Sequence, residues 1–182
     1  MSDHSGGGAE DVELIERWRA GDERSATALV ARHAPAVARF LASLGARDDA
    51  ADLVQDTFVR AFGSLDGFRG ASSFRTWLFT IARRLLLDRR RSERRSRVSC
   101  AVEEGDAVTE FDALDDLLAR ESAARVREAI GRLTPTQREV FTLRVKEGLS
   151  YREIAEVVGT TEGAARVHYH HAMRTVKEFL YV

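Results

Sequence analysis

Two four-residue stretches fix more of this chain's folding choices than any others. "TPTQ" at 134–137 places Thr at a helix cap, Pro at the first helical position and Gln three residues after the cap. "SYRE" at 150–153 repeats the plan with Ser150 and Glu153. In each, the hydroxyl can accept from the third helical N–H while the Gln or Glu side chain reaches back to the cap's own N–H. Pro belongs at the first helical position, where its missing donor costs nothing. Two helices therefore start at fixed places. The first ends near Glu147 before Gly148, and the second closes at Gly159. A third begins after Thr160 or Thr161 and runs almost to the end of the chain.

The pair joined by "GTT" has the length and glycine placement of a helix-turn-helix. In the last helix Ala165, Tyr169, Ala172, Val176 and Leu180 recur at helical spacing and face a core. Thr161, Glu162, Arg166, Val167, His170, His171 and Arg174 are left at the start and on the other side. Arg there suits guanine, and a small apolar residue suits a thymine methyl. A plain amphipathic hairpin with a wet face is the competing reading. His168 and His171 are one turn apart, but no Cys and no His-Glu-x-x-His order accompanies them, so no metal and no cofactor is expected.

The remainder also reads as helix, over 10–20, 22–44, 48–64, from about 74 and over 112–132, with no strand signal. Pro35 should kink the second of these. Asp48 and Asp49 suit the start of the third, and Ser72 or Ser73 can cap the fourth. Phe74, Trp77, Leu78, Ile81 and Leu85 make the fourth helix's core stripe, so Trp77 is a core residue before it is a stacking platform. The start "MSDHSGGGAE" reads as a Gly-rich disordered tail rather than a leader. No apolar run approaches the roughly 20 residues of a membrane span. The single Cys100 fits a reducing compartment and an unremarkable linker thiol.

Charge is balanced in total and segregated in detail. The chain has 28 basic and 29 acidic side chains, a net charge of −1. Yet "RRLLLDRRRSERRSR" at 83–97 holds eight Arg, and "EEGDAVTEFDALDDLLARE" at 103–121 holds eight acids. This switch marks a boundary. The expected organisation is a tail at 1–9, a helical domain at 10–95, a linker at 96–111 and a helix-turn-helix domain at 112–182. The fold class is all-α: two small helical domains joined by a flexible acidic linker.

"LTPTQREVFTLRVKEGLSYREIAEVVG" resembles the promoter-reading domain of bacterial sigma factors, closest to the two-domain extracytoplasmic-function (ECF) type. "DDAADLVQDTFVRAF" at 48–62 resembles that family's polymerase-docking segment, and "FRGASSFRTWLFTIARRLLLDRRRSERR" at 68–95 its −10 segment. The resemblance covers about 10–182. It implies a non-enzymatic cytoplasmic specificity subunit. Its partners would be core RNA polymerase, at the β′ clamp helices and β flap, and promoter DNA. An anti-sigma factor is a further family implication, without membrane insertion by this chain.

The resemblance further implies that Asp52, Gln55, Asp56 and Phe58 bind polymerase. Phe68, Arg69, Ser72, Ser73, Arg75, Arg83 and Arg84 would open and read the −10 element, with Arg90 adding charge along the same helix. The last helix would read the −35 element. "GAARVHYHHAMR" departs from the family's usual G-T-V-K-S-R-L-H-R-A-R, with fewer fixed charges, so its base preference should differ. A stand-alone helix-turn-helix transcriptional regulator is the alternative. It would need a receiver domain with strands, where residues 1–95 read as helices. An enzyme would need an acid/base pair, a phosphate loop or a ligand cluster, and none is apparent.

Overall fold

A computed structural model of the chain describes residues 5–46, 48–97 and 117–181. Among these residues there are eight α-helices, one 3₁₀ turn and no strand. They are α1 (Ser5–Arg19), α2 (Glu23–Ser43), α3 (Ala50–Gly63), a 3₁₀ turn (Leu65–Gly67), α4 (Phe74–Arg97), α5 (Leu117–Gly131), α6 (Pro135–Val145), α7 (Tyr151–Val158) and α8 (Glu162–Leu180). Cys100 and most of the expected linker lie outside the described residues.

Local chemistry sets most boundaries. Asp22 caps α2, accepting from the Arg24 N–H at 3.1 Å. Ser73 caps α4, accepting from the Thr76 N–H at 3.1 Å. Both expected capping boxes are formed, at Thr134/Gln137 and Ser150/Glu153. Gly159 closes α7 at φ +72°, a left-handed conformation that costs a side-chain-bearing residue steric strain. One expectation needs correction. Helix α1 begins at Ser5, inside the stretch expected to be a disordered tail; glycine weakens a helix but does not forbid one whose next turns are packed. Asp49 stands at the N-cap of α3, as expected, but makes no capping bond, its carboxylate being turned to Arg89 of α4 at 3.3 Å.

The first four helices enclose Leu29, Val37, Phe40, Leu41, Leu53, Ala61, Leu78, Phe79 and Ala82. Phe40 and Phe79 meet edge to face at 5.1 Å, a geometry worth about 1 kcal/mol beyond their burial. Phe79 falls outside the expected stripe. Helix α4 is covered on two sides, by α2 and α3 on one and by α7 on the other, so its buried arc is wider than one stripe. Helix α1 is tied down by His33, whose Nε2 lies 2.9 Å from Asp11, both buried, and by Trp18 against Phe62 at 5.4 Å.

In the C-terminal half, Ala129, Leu133, Phe141, Ala172 and Val176 join α5, α6 and α8. Arg138 donates to the carbonyls of Gly131 at 2.7 Å and Ile130 at 3.3 Å, closing the end of α5. Arg144 donates to the Leu149 carbonyl at 2.7 Å and stacks over Tyr151, which fixes the turn into α7. The two halves touch. Helix α7 packs on α4 and α6 on α2, and Val140, Ile154, Val157 and Val158 join the apolar cluster of the first four helices.

Candidate nucleic-acid interface

Helix α8 is built outward from its cap. Thr161 accepts from the Ala164 N–H at 3.2 Å, and Ala165, Ala172 and Val176 are buried. The helical period then turns Glu162, Arg166, Val167, His170, His171 and Arg174 outward, and all six are exposed. Val167 is 53% exposed, an apolar side chain left on an otherwise polar face. Arg166 is pre-set rather than loose. It lies 3.1 Å from Glu162 and its guanidinium sits 5.1 Å from the Tyr151 ring centroid. Arg174 is held weakly by Glu178 at 3.9 Å.

The loop before α4 has a different character. Arg19 of α1 donates to the carbonyls of Leu65 at 2.9 Å and Phe68 at 3.3 Å, which sets where the loop begins. Nothing in the local sequence around Arg19 signals this; only the packing of α1 does. Phe68 is half-buried against Trp77 at 5.0 Å and Phe74 at 5.7 Å. Its ring therefore belongs to an aromatic cluster and is not an open platform. Arg69 and Ser73 are exposed, Ser72 is half-buried, and Arg84 faces outward from α4.

Arg75 and Arg83, expected at the same surface, are occupied by the other half of the chain. Arg75 donates to the Glu147 carbonyl at 2.8 Å and to the Glu147 carboxylate, and Arg83 donates to Glu139 at 2.9 Å. Arg90 is turned away to the Leu44 carbonyl at the end of α2. Ser73 and Thr76 donate to Glu153 at 3.5 and 3.0 Å. Burial pushes the Glu139 carboxyl above its ordinary range, despite the opposing pull of Arg83. Burial also raises Glu153, but hydrogen bonds from Ser150, Thr76 and Ser73 outweigh it and hold that carboxyl low. A cavity of about 530 Å³ opens beside these contacts, lined by Asp11, Arg32, Arg39, Arg75, Glu147 and Glu153 among others.

The third surface lies on α3. Asp52, Gln55 and Asp56 are exposed, with Asp56 3.6 Å from Arg89. Phe58 is 5% exposed and belongs to the core, which corrects its expected place on the surface. Val59 stands outward in its stead at 66% exposure. Phe58 packs into the core cluster, with its ring 6.2 Å from that of Phe62. The expected residues thus form three separate faces, on α8, on the loop with α4, and on α3.

Helix, turn and exposed stripe define a helix-turn-helix DNA reader joined to a second helical unit with a basic helix. Family comparison matches residues 29–96 to Sigma-70 region 2 and residues 123–176 to Sigma-70, region 4. The chain is 33% identical over 165 residues to the ECF RNA polymerase sigma-E factor of Haemophilus influenzae, covering 86% of this chain and 87% of that one. It is 34% identical over 175 residues to the ECF RNA polymerase sigma factor BldN of Streptomyces coelicolor, covering 93% of this chain and 65% of the relative.

Among solved structures, the sigma factor RpoE in complex with the anti-sigma factor NepR from Bartonella quintana is similar with a TM-score of 0.70 and 29% identity, covering 88% and 98% of the two chains. CnrH in complex with the cytosolic domain of CnrY gives 0.66 and 32%, covering 94% and 97%. The chain belongs to the ECF RNA polymerase sigma factors. It acts with RNA polymerase in promoter-specific initiation of transcription. Among the described residues, no helix is long and apolar enough to cross a membrane.

Proposed function

We propose that residues 10–95 dock on core RNA polymerase and open the −10 element, while residues 112–182 read the −35 element and meet the β flap. The exposed stripe on α8, with Arg166 and Val167 at its N-terminal end, carries this reading. Arg166 would pair with a base edge, Val167 with a methyl, and Thr161, His170, His171 and Arg174 with the flanking backbone. On α3, Asp52, Gln55 and Asp56 form a polar rim around Val59, the arrangement expected of a docking helix on the β′ clamp. Arg69, Ser72, Ser73 and Arg84, with Arg75 and Arg83 when released, would follow the opened strand. Phe68 would contribute by shaping the loop.

The chain carries no reaction of its own in this reading. It works in the cytoplasm, with the polymerase supplying catalysis. A net charge of −1 supports weak DNA binding alone, because non-specific affinity comes from phosphate neutralisation. Two modest readers fixed on one large enzyme gain by effective concentration. The similarity to RpoE, solved with the anti-sigma factor NepR, supports an anti-sigma partner for this chain too. Binding of the purified chain to core polymerase tests the docking face. Asp52→Lys or Val59→Glu should abolish the complex while Arg166→Ala leaves it intact. Equal binding by all of them would contradict the assignment.

A further inference from the structure

Arg166, the α8 side chain assigned above to a base edge, is oriented from outside its own helix. Its guanidinium lies over the Tyr151 ring, 5.1 Å from the centroid. Tyr151 is the first residue of α7, next to the Ser150 cap. Its ring is half-buried, packs against the core and meets the Tyr169 ring of α8 edge to face at 5.9 Å. Arg144 of α6 lies over the same ring at 4.8 Å while donating to the Leu149 carbonyl. The ring is therefore a fixed surface, held by a capped helix start, a neighbouring aromatic and the turn between α6 and α7.

That surface acts together with Glu162. The Glu162 carboxylate accepts from Arg166 Nη2 at 3.1 Å, one turn back along α8. This uses one of the guanidinium's N–H donors, and stacking engages its face rather than its N–H edge. Donors remain for the paired acceptors that guanine presents in the major groove. An Arg side chain loose in solvent loses rotamer freedom when it binds, and one already seated loses less. The gain is realised only where the base offers those acceptors, so it appears as discrimination at that position.

We infer that Tyr151 is a specificity-determining positioning residue, acting through Arg166 rather than on DNA. This rests on the assignment of Arg166 to a base edge.

Core polymerase reconstituted with the full chain, on a promoter library randomised across the −35 element, provides the test. Arg166→Ala marks the base positions that Arg166 reads. Tyr151→Leu keeps apolar bulk and removes the ring. It should relax discrimination at those same positions by about two- to fivefold, the range of an exposed cation–π contact, and leave other positions unchanged. Tyr151→Phe keeps the ring and should match the unaltered chain. Tyr151→Leu added to Arg166→Ala should produce no further loss, since both act through one contact. A merely structural role in α7 would weaken all promoters alike and would add to the effect of Arg166→Ala.

Unchanged discrimination in Tyr151→Leu, an equal loss at every position, additive losses, or Tyr151→Phe behaving like Tyr151→Leu overturns the positioning role and leaves the assignment of Arg166 in place. Arg166→Ala without a position-specific loss rejects that assignment and the positioning role together. The stack is also read in the unaltered chain, whatever the folding of the variants. NMR should show the Arg166 Cδ protons shifted upfield by the aromatic ring. Cδ protons at their ordinary positions overturn the inference.

Discussion

Arg83 of α4 donates its Nε–H to the carboxylate of Glu139 on α6 at 2.9 Å, joining residues 56 positions apart in the chain. Burial nevertheless holds the Glu139 carboxyl above its ordinary range. The folded chain keeps that proton more tightly than the unfolded chain does. Ionisation of Glu139 thus costs stability as pH rises through the raised value, and the loss is recovered as pH falls. Glu153 has the opposite sign. Its carboxyl is held low, so its contribution is complete above the ordinary carboxylate value and disappears as pH falls through the lowered one. Urea midpoints across a pH series should show Glu139→Gln flattening the upper part of the profile and Glu153→Gln the lower part. Profiles parallel to that of the unaltered chain would contradict this.

The Ser150 cap serves both halves. Its hydroxyl and N–H bind Glu153 at 2.7 and 2.9 Å, the same carboxylate that receives Thr76. Ser150→Ala should cost about 1 kcal/mol in urea unfolding, the usual value of a lost cap. Loss of less than a few tenths would mean that Glu153 is oriented by Thr76 alone.

Phe40 is fully buried against Phe79 at the centre of the first four helices. Phe40→Ala should destabilise by about 3–5 kcal/mol, enough to unfold much of the N-terminal half of a marginal domain. Phe58→Ala should likewise lower stability, since Phe58 is core. A Phe58→Ala chain of unchanged stability that fails to bind polymerase would return that residue to the docking surface.

Arg166→Ala should relax −35 discrimination by about 1–3 kcal/mol, roughly five- to 150-fold, at one or two base positions. The thermal midpoint should stay within about a degree or two, because exposed substitutions seldom exceed ~0.5 kcal/mol. Promoter libraries transcribed with the reconstituted enzyme give the first quantity and calorimetry the second. A uniform loss at every sequence would instead make Arg166 a phosphate contact.

What can be read from the residues follows from how local the physics is. Caps, glycine stops and helical periodicity depend on a few neighbours, so α6, α7 and α8 and the outward stripe of α8 are legible in the sequence alone. The burial of Phe58 is not, because an apolar residue on an amphipathic helix can face a core or a partner protein until its neighbours are packed. Nor is the placement of Phe68 local, since its ring is enclosed by Phe74 and Trp77 of the next helix. Arg90 and Asp49 escape a local reading because their partners, Leu44 and Arg89, lie 46 and 40 positions away. The pairing of Arg75 with Glu147 spans 72 residues, and no local pattern announces it.

Mapping transcript 5′ ends is the most direct test of promoter choice by this chain. Core RNA polymerase is given the host's genomic DNA with and without the purified protein. Discrete start sites that appear only with the chain, each preceded by the same two sequence elements at fixed spacing, are expected. Start sites identical to those of core enzyme alone would contradict the assignment.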